Sequence, residues 1–364
     1  MSIAEARRRC LDIVLINGED LTPYREASIS APDGQIVRII SKEVNAISVL
    51  IPKYANLLLN CYVSFQRGGS QEVSRFLLNE NKLQLFVSFL EDDSKGDVQA
   101  ATSGILANLP TSDSKLTAAL IEYEALPTII KAMKNGTFDA KENAVGALLR
   151  FTDPSSVGTQ HTVVQLGAYP ILISLLHSGT MLAKTKATFA IGNLSSSSPY
   201  LSVAPVVNGC LCFMSAKPPV CRVHRGPCDV KTTFCLVKAN ALSALVNLLQ
   251  EREGNTAGAA VHALATLVSD DDILSKGATV LHQEKAIDPV IEILSRGTTE
   301  SKEEAVKLLE KLFNIKEIVE VYASKARIPL VDLATQTHWG GSLRKKTANV
   351  LAQLEFKQET SSYF

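Results

Sequence analysis

The chain has 364 residues, of which 46% are hydrophobic and 6% aromatic, and its 37 basic residues balance its 37 acidic ones. Proteins that bind nucleic acid through surface charge usually carry an excess of lysine and arginine, so this balance excludes nucleic acid as an expected partner. The longest apolar stretch, residues 47–65, contains Pro52 and Lys53 and is too interrupted for a membrane-spanning helix.

The N-terminal region lacks the sequence features of a secretory signal and of a regular repeat. The apolar run after the arginines at 7–9 is short and contains Asp12, unlike a signal peptide. The seven cysteines are therefore expected to stay reduced, in a cytosolic or nuclear setting, and of these the cytoplasm is the expected location. Residues 17–34 are polar and irregular, so an atypical helical cap is predicted for residues 1–53.

A Gly-Thr pair recurs along the chain between two apolar helical segments, with a proline eight or nine residues upstream of it. The first two pairs are 43 residues apart, and a period in the forties with helical content is typical of armadillo and HEAT repeats. The pattern predicts an all-α armadillo-repeat solenoid, a right-handed superhelix. The pairs begin at Gly136, Gly179 and Gly297, and the prolines are Pro127, Pro170 and Pro289.

Each repeat is predicted to contain three helices. The first is short, and the second opens near the proline, whose missing N–H costs nothing in the first turn. The glycine is expected to cap the second helix with a positive φ. Capping boxes, Asp139 with Glu142 and Ser301 with Glu304, are expected to begin two of the third helices. The predicted second helices span residues 126–133, 169–176, 287–294 and 328–333.

The ends of the third helices set the register of the array. Their final apolar residues are spaced by 42, 43, 73, 45 and 42 residues, so one interval carries an insertion of about 30 residues. Counting back from the first of them predicts another third helix over residues 54–65. The chain is thus divided into about six repeats at 54–356, interrupted at 197–233, and a tail at 357–364. The register residues are Leu109, Phe151, Leu194, Leu267, Leu312 and Leu354.

Three phrases resemble the armadillo consensus, namely those at residues 105–110, 168–176 and 190–195. The chain from residue 51 onward, with its cysteine-containing insertion, also resembles the C-terminal armadillo half of plant U-box ubiquitin ligases of the senescence-associated type. That resemblance implies the part of a ligase that binds a substrate or a protein partner. The sequence ahead of the repeats is expected to hold no U-box, the module that recruits the ubiquitin-conjugating enzyme.

Two functions follow from this resemblance. One is a protein-binding scaffold with no ubiquitin chemistry of its own and no catalytic residues. The other is a component of a ubiquitin ligase whose U-box is absent from this chain or supplied by a partner. The resemblance alone also implies peripheral association with the plasma membrane.

Polar residues precede the register residues and are predicted to line a binding groove. Asparagine both donates and accepts hydrogen bonds, and arginine grips carboxylates in a fork, so the set suits an extended peptide with acidic groups. Alternatively, these residues are solvated polar ends of helices. The predicted groove residues are Asn108, Arg150, Asn193, Thr266, Lys311 and Gln353.

The insertion at 197–233 concentrates cysteines in a way that suggests a metal site. Thiolates and an imidazole suit tetrahedral zinc, the one cofactor that the sequence suggests. The alternative is a disordered loop with free cysteines, while Cys235 packs as a small apolar residue in the first helix of the next repeat. The expected ligands are Cys221, His224, Cys228 and one of Cys210 or Cys212, with Cys212 preferred.

Overall fold

Every regular element that the structure describes is helical, which confirms the predicted all-α class. The described residues form two compact units that divide between Phe151 and Thr152, called unit one and unit two below. No helix among them is long and apolar enough to cross a lipid bilayer. The computed structural model describes residues 70–78, 82–91, 96–196, 235–252, 255–269, 271–335 and 341–361.

Unit one is built from six described helices. Here α2 packs on α3, α5 packs on α6, and the two third helices, α3 and α6, pack on each other. The predicted cap at residues 1–53 and the predicted helix at 54–65 lie outside the described residues. The helices are α1 (Ser70–Leu77), α2 (Lys82–Glu91), α3 (Gly96–Asn108), α4 (Ser114–Glu122), α5 (Ala125–Asn135) and α6 (Phe138–Leu148), followed by a 3₁₀ turn (Leu149–Phe151).

Unit two continues the same three-helix pattern. Its third helices α9, α11, α14 and α16 pack in succession, each on the one before it. The helices are α7 (Val157–Gln165), α8 (Ala168–Ser178), α9 (Met181–Ser196), α10 (Leu242–Leu248), α11 (Thr256–Ala265) with a 3₁₀ turn (Thr266–Val268), α12 (Asp271–Gln283), α13 (Ile287–Arg296), α14 (Thr299–Leu312), α15 (Lys316–Thr335) and α16 (Gly341–Ser361).

The register predicted from the sequence agrees with the packing of both units. All six register residues are at most 3% exposed. Five of them lie within three residues of the end of a third helix. Leu354 differs, because α16 continues beyond it to Ser361.

The Gly-Thr pairs form the corners between second and third helices. The amide of Gly136 donates to the carbonyl of Ala132 at 2.9 Å and closes α5. The hydroxyl of Thr137 then accepts the amide of Ala140 at 3.2 Å and opens α6. Thr180 and Thr298 do the same at their corners. The predicted capping boxes are therefore wrong, because the threonine that caps each helix lies two or three residues earlier.

The corner glycines are required by close packing and not by a positive φ. Gly136, Gly179 and Gly297 have φ values of −66°, −74° and −73°, which any residue adopts, so that prediction is wrong. A Cβ at Gly136 would stand 2.6 Å from the Ala132 carbonyl oxygen and 2.8 Å from the Ala140 Cβ. Only glycine lets the chain turn this sharply between two helices.

The prolines open three second helices as predicted. Pro127, Pro170 and Pro289 are each the third residue of their helix. Pro329 behaves differently, because α15 runs through it and fuses the first and second helices of the last repeat. The carbonyl of Lys325 loses its helical donor there, which is tolerable because that residue is exposed. The predicted helix start at residue 328 is therefore wrong.

Candidate functional site

Asn108 ends α3 in unit one, as the predicted groove position requires. It is half-buried, and its Nδ2 donates to the carbonyl of Gly104 in the same helix at 2.8 Å. Its second N–H and its carbonyl oxygen make no hydrogen bond within the described residues. The side chain thus keeps one donor and both oxygen lone pairs for other partners.

Arg150 is only 4% exposed and acts inside unit one. Its Nη2 donates to the carbonyls of Leu106 and Leu109 at 3.2 and 3.1 Å, and its Nη1 to the hydroxyl of Thr117 at 3.4 Å. Burial lowers the pKa of the guanidinium to about 10, while the negative charge of Asp113 acts in the opposite direction and raises this pKa. Arg150 therefore caps the C-terminal end of α3, where carbonyls lack helical donors. That it also contacts a partner stays a prediction.

Asn193 lies near the end of α9 in unit two, and both the nitrogen and the oxygen of its side-chain amide have polar partners. Its Nδ2 donates to the hydroxyl of Thr152 at 3.2 Å, and its Oδ1 lies 3.3 Å from Nε2 of His262. Gln160, which is fully buried, donates to the main-chain carbonyls of Thr152 and Asn193 at 2.7 and 3.2 Å. These bonds fix the position of a half-buried amide.

His262 and Glu304 extend this arrangement across the next two third helices. Nδ1 of His262 lies 3.9 Å from Oε2 of Glu304, an ion-pair distance, and Oε1 of Glu304 lies 2.6 Å from Nζ of Lys307. The side chains of these three residues are 34%, 27% and 45% exposed. The result is a continuous row of polar side chains, here called the polar ladder. It consists of Thr152, Asn193, His262, Glu304 and Lys307.

The sequence alone did not suggest His262 or Glu304. Glu304 was predicted only to reach back to Ser301 within its own helix. In the structure Glu304 reaches sideways to α11 and pairs with Lys307 three residues on. One signal was present, because His262 lies four residues before Thr266, on the same face of the third helix.

Gly192 makes room for the ladder where α9 meets α11. A Cβ on Gly192 would stand 2.5 Å from Cδ2 of His262 and 3.2 Å from the Cα of Ala263. The imidazole therefore rests against bare backbone, beside the Asn193 amide that it bonds. The adjacent pair Gly192-Asn193 supplies both the space and the hydrogen-bonding partner.

The ladder holds Glu304 in its ionised form. The pKa of Glu304 is lowered from 4.5 to about 2, chiefly by its contact with His262, with burial opposing and Lys307 adding to the shift. A carboxyl whose pKa is lower in the folded state stabilises the fold above its unfolded pKa, and this contribution is lost as the pH falls through the folded value. The relevant window runs from about pH 4.5 down to about pH 2.

We expect Glu304→Gln to lower the free energy of unfolding by about 2 kcal/mol at pH 6, because the charge-assisted contacts to His262 and Lys307 are weakened. Urea titrations followed by circular dichroism at pH 6, 4.5 and 3 measure this difference. It should shrink as the pH falls below about 4.5, because the carboxyl of the unfolded chain then takes up a proton while the native one stays ionised down to about pH 2. Glu303→Gln, one residue away, is the control. A difference that stays constant over this range would contradict the ladder's electrostatic role.

Of the other three predicted groove residues in unit two, Thr266 and Lys311 lie at the ends of α11 and α14, whereas Gln353 lies within α16. The hydroxyl of Thr266 donates to the carbonyl of Ala263 at 2.7 Å. Lys311, which is exposed, lies 3.5 Å from Asp271, and Nε2 of Gln353 donates to Oδ1 of Asn314 at 2.6 Å. Each bonds a neighbouring group in the protein, and their contact with a partner stays a prediction.

The predicted zinc ligands, Cys212 or Cys210 with Cys221, His224 and Cys228, lie outside the described residues. Within those that are described, no group of three His, Cys, Asp or Glu side chains is placed to hold a metal ion. Cys235 is buried, as predicted, and its Sγ accepts the amide of Lys238 at 3.4 Å. It precedes a turn and not the expected first helix. Zinc binding by the insertion stays a prediction.

Solved structures with the same fold are armadillo-repeat proteins. A designed armadillo repeat protein named YIII(Dq)4CqI aligns with 75% of this chain and 99% of its own length, at a TM-score of 0.55 and 19% identity. A second, YIII(Dq.V1)4CPAF in complex with peptide (KR)4, aligns with 75% and 99% at a TM-score of 0.52 and 20% identity. At these identities the likeness shows the fold alone, and it confirms the predicted armadillo class.

Relatives in sequence are plant proteins named for a U-box domain. U-box domain-containing protein 24 of Oryza sativa subsp. japonica is 30% identical over 60% of this chain and 30% of its own length. U-box domain-containing protein 43 of Arabidopsis thaliana matches with the same figures. The chain thus spans about a third of the length of the curated relatives it matches, and no family model matches it. The protein has an armadillo-repeat fold, and its homologues are plant U-box domain-containing proteins.

Proposed function

We propose that unit two binds an extended segment of another protein along its third helices α9, α11, α14 and α16. The observation that carries this proposal is the half-buried amide of Asn193, held by Thr152 and His262 at the end of a third helix. A held amide offers a ligand fixed hydrogen-bonding groups without losing side-chain entropy on binding. The same fold in a designed protein in complex with peptide (KR)4 supports a peptide as the ligand.

The chemistry of the amide suits the main chain of a peptide. An asparagine side chain has two N–H donors and two oxygen lone pairs. Thr152 takes one donor and His262 one lone pair, so one of each remains within the described part of the chain. These two groups match the C=O and N–H that every residue of an extended peptide presents. Main-chain pairing of this kind anchors a peptide, while neighbouring charged residues select its side chains.

Cationic side chains on α14, further along the third helices of unit two than Asn193, favour a partner with acidic residues. Lys307 and Lys311 lie on α14 and are about half exposed, so their charges remain accessible to a ligand. A lysine near a carboxylate of the ligand contributes a charge-assisted contact. We therefore propose a peptide that carries Asp or Glu in the part that lies along α14.

We expect Asn193→Ala to weaken peptide binding about tenfold or more, because one donor and one acceptor at the main chain are lost. Random 12-residue peptides displayed on phage and selected on the full chain supply the probes. Synthetic copies are then titrated by fluorescence anisotropy. Asn247→Ala, an exposed asparagine on the second helix α10, is the matched control. Equal affinity of the two variants, or no selected peptide, would contradict the proposal.

Because the relatives of this chain are named for a U-box domain, we propose that its partner is a substrate or a regulator in protein ubiquitination. A scaffold without ubiquitin chemistry and a component of a ubiquitin ligase remain the two alternatives. Incubation of the chain with ubiquitin, activating enzyme and conjugating enzyme separates them, since ubiquitin chains formed with this chain alone contradict the scaffold. Cytoplasmic localisation and peripheral attachment to the plasma membrane are proposed from the resemblance only.

A further inference from the structure

We propose that the exposed face of α15 binds a second copy of this chain, with the two α15 helices parallel and side by side. The proposal goes beyond the proposed function, because it concerns α15, whereas the peptide is proposed to bind along the third helices of unit two. The observation that carries it is an apolar stripe on α15 that has the spacing of a coiled coil and is flanked by charges that complement a second copy.

The helix α15 carries apolar residues on two opposite faces. Its inner face packs on α13 and α16. On its outer face Val321, Ile328 and Val331 are 48%, 70% and 41% exposed. Scattered exposed apolar residues need no explanation, whereas three on one face of one helix mark an interaction surface. The buried residues of the inner face are Ile318, Val319, Tyr322, Ala323, Ala326, Leu330 and Leu333.

The outer face repeats every seven residues. Val321, Ile328 and Thr335 follow one another at intervals of seven, and Ser324 and Val331 lie three residues after the first two. All five are exposed, and they are called the α15 stripe below. This alternation of three and four residues is the spacing at which two helices pack along a common seam. Val and Ile at the first position of such a repeat are typical of parallel two-stranded coiled coils.

The order of residues in the α15 stripe favours a parallel pair. When two copies lie parallel and in register, each residue of the stripe faces its own copy across the two-fold axis. Val321, Ile328 and Val331 then meet apolar side chains, and the hydroxyls of Ser324 and Thr335 meet hydroxyls. An antiparallel pair that joins Val321 to Val331 would place Ile328 against Ser324. The parallel arrangement therefore buries more apolar surface.

Charged residues on both sides of the stripe complement a second copy. In a parallel pair, the residue before each first position faces the residue five places later on the other helix. These partners are Glu320 with Lys325, and Arg327 with Asp332, so both contacts join opposite charges. The side chains of Glu320, Lys325 and Arg327 are 55%, 55% and 56% exposed, and Asp332 is exposed as well. Charges at these positions select the partner helix, and here they select another α15.

Three of these residues already form ion pairs within the chain, and those pairs leave room for a second contact. Each pair is largely exposed and therefore contributes little to stability. A lysine has three N–H donors and an arginine five, so one cation can bond two carboxylates. The pairs are Lys316 with Glu320 at 3.8 Å, Lys325 with Asp288 at 2.7 Å and Arg327 with Glu355 at 3.4 Å.

The stripe is short, so the expected dimer is weak. Glu317, one repeat before Ser324, is exposed and charged, and the apolar part therefore begins at Val321. Isolated helices of this length are marginal in water, but α15 is already folded against α13 and α16, so pairing does not have to form it. One helix on each side gives an interface at the small end of the range for specific complexes. At the low micromolar concentrations of an unfolding titration the chain is then a monomer.

Sedimentation equilibrium of the full chain, from about 5 µM to about 500 µM, measures this association. We expect the apparent mass to rise with concentration toward twice the 39.3 kDa of one chain. Ile328→Asp should weaken the dimer at least about tenfold, because each dimer buries two copies of this side chain. Phe138→Asp is the matched control, because Phe138 is 73% exposed but lies at the start of α6. It should leave the association unchanged.

Charge reversal tests the parallel register. Glu320→Lys should weaken the dimer several-fold, because the new lysine faces Lys325 of the second copy. Adding Lys325→Glu should restore the association, because the pair is then reversed and again opposite in charge. Adding Arg327→Glu instead should weaken it further, because both flanking contacts then join like charges. Circular dichroism of each variant shows whether the fold is retained.

Three results would overturn the inference. The first is a chain that stays monomeric up to the highest concentration, which would leave the stripe to a helix of another protein. The second is a dimer that Ile328→Asp and Phe138→Asp affect equally, which would place the contact elsewhere. The third is recovery of Glu320→Lys by Arg327→Glu and not by Lys325→Glu, which would mean that the helices pair in the antiparallel direction.

Discussion

Replacing Arg150 with methionine is expected to lower the free energy of unfolding of unit one by about 3 kcal/mol. The guanidinium donates to two carbonyls at the end of α3 and to the hydroxyl of Thr117, all in a site where Arg150 is 4% exposed. Methionine preserves most of the volume but donates nothing. The carbonyls of Leu106 and Leu109 are then left with poorer hydrogen bonding at a buried helix end.

Two opposing terms decide the size of this effect. Hydrogen bonds from a charged group stabilise by about 1.5–3 kcal/mol each, so three imperfect ones contribute about 6 kcal/mol. Burying the charge costs free energy, as the lowering of the Arg150 pKa from 12.5 to about 10 shows. A shift of this size corresponds to about 3 kcal/mol, which methionine would recover. The hydrogen bonds therefore outweigh the cost of burying the charge, and about half of their summed contribution remains as net stabilisation.

Urea unfolding followed by circular dichroism measures the loss, and hydrogen exchange resolved by mass spectrometry locates it at the end of α3. Arg327→Met is the matched control, because Arg327 is 56% exposed and pairs with Glu355 only at 3.4 Å. An exposed pair of this kind is worth less than about 1 kcal/mol. Equal losses in the two variants would mean that the buried cap contributes nothing beyond an ordinary surface contact.

The repeat itself was predictable because its signals are local. A proline in the first turn, a Gly-Thr corner and a buried apolar residue near the helix end recur at one period, and all three are found in the structure. The reason for the corner glycine was not predictable. A glycine in a sequence does not reveal whether the chain needs a positive φ or a close approach, and here the Ala132 carbonyl and the Ala140 Cβ require the latter.

The polar ladder was only partly predictable because its contacts are distant in sequence. Asn193 was expected to face a partner; its side chain is half-buried, and its contact with a partner stays a prediction. His262 reaches it from 69 residues away, across the insertion, so no local pattern links the two. Arg150 was predicted from its place in the register alone, which says nothing about whether a long side chain points outward or caps the preceding helix. Three-dimensional packing decides such cases.

Gly277→Ala is expected to destabilise unit two by about 3 kcal/mol, although alanine is the better helix former. A Cβ on Gly277, in α12, would overlap the carbonyl oxygen of Leu267 and stand 2.6 Å from its carbonyl carbon. These atoms are backbone, so neither can rotate away as a flexible side chain would. To avoid this clash, α12 would have to move away from the 3₁₀ turn at the end of α11. That movement would loosen the packing between α12 and the turn that contains Thr266.

Gly158→Ala is the matched control for this substitution, because a Cβ at that position in α7 meets nothing within 4 Å. There the helix propensity of alanine should prevail and stabilise the protein by up to about 1 kcal/mol. Thermal and urea unfolding of the two variants should therefore shift in opposite directions. A shift of the same sign and size in both would show that the contact between α12 and the end of α11 is loose. Since α11 carries His262, a loose contact would also weaken the argument that the polar ladder is held in one place.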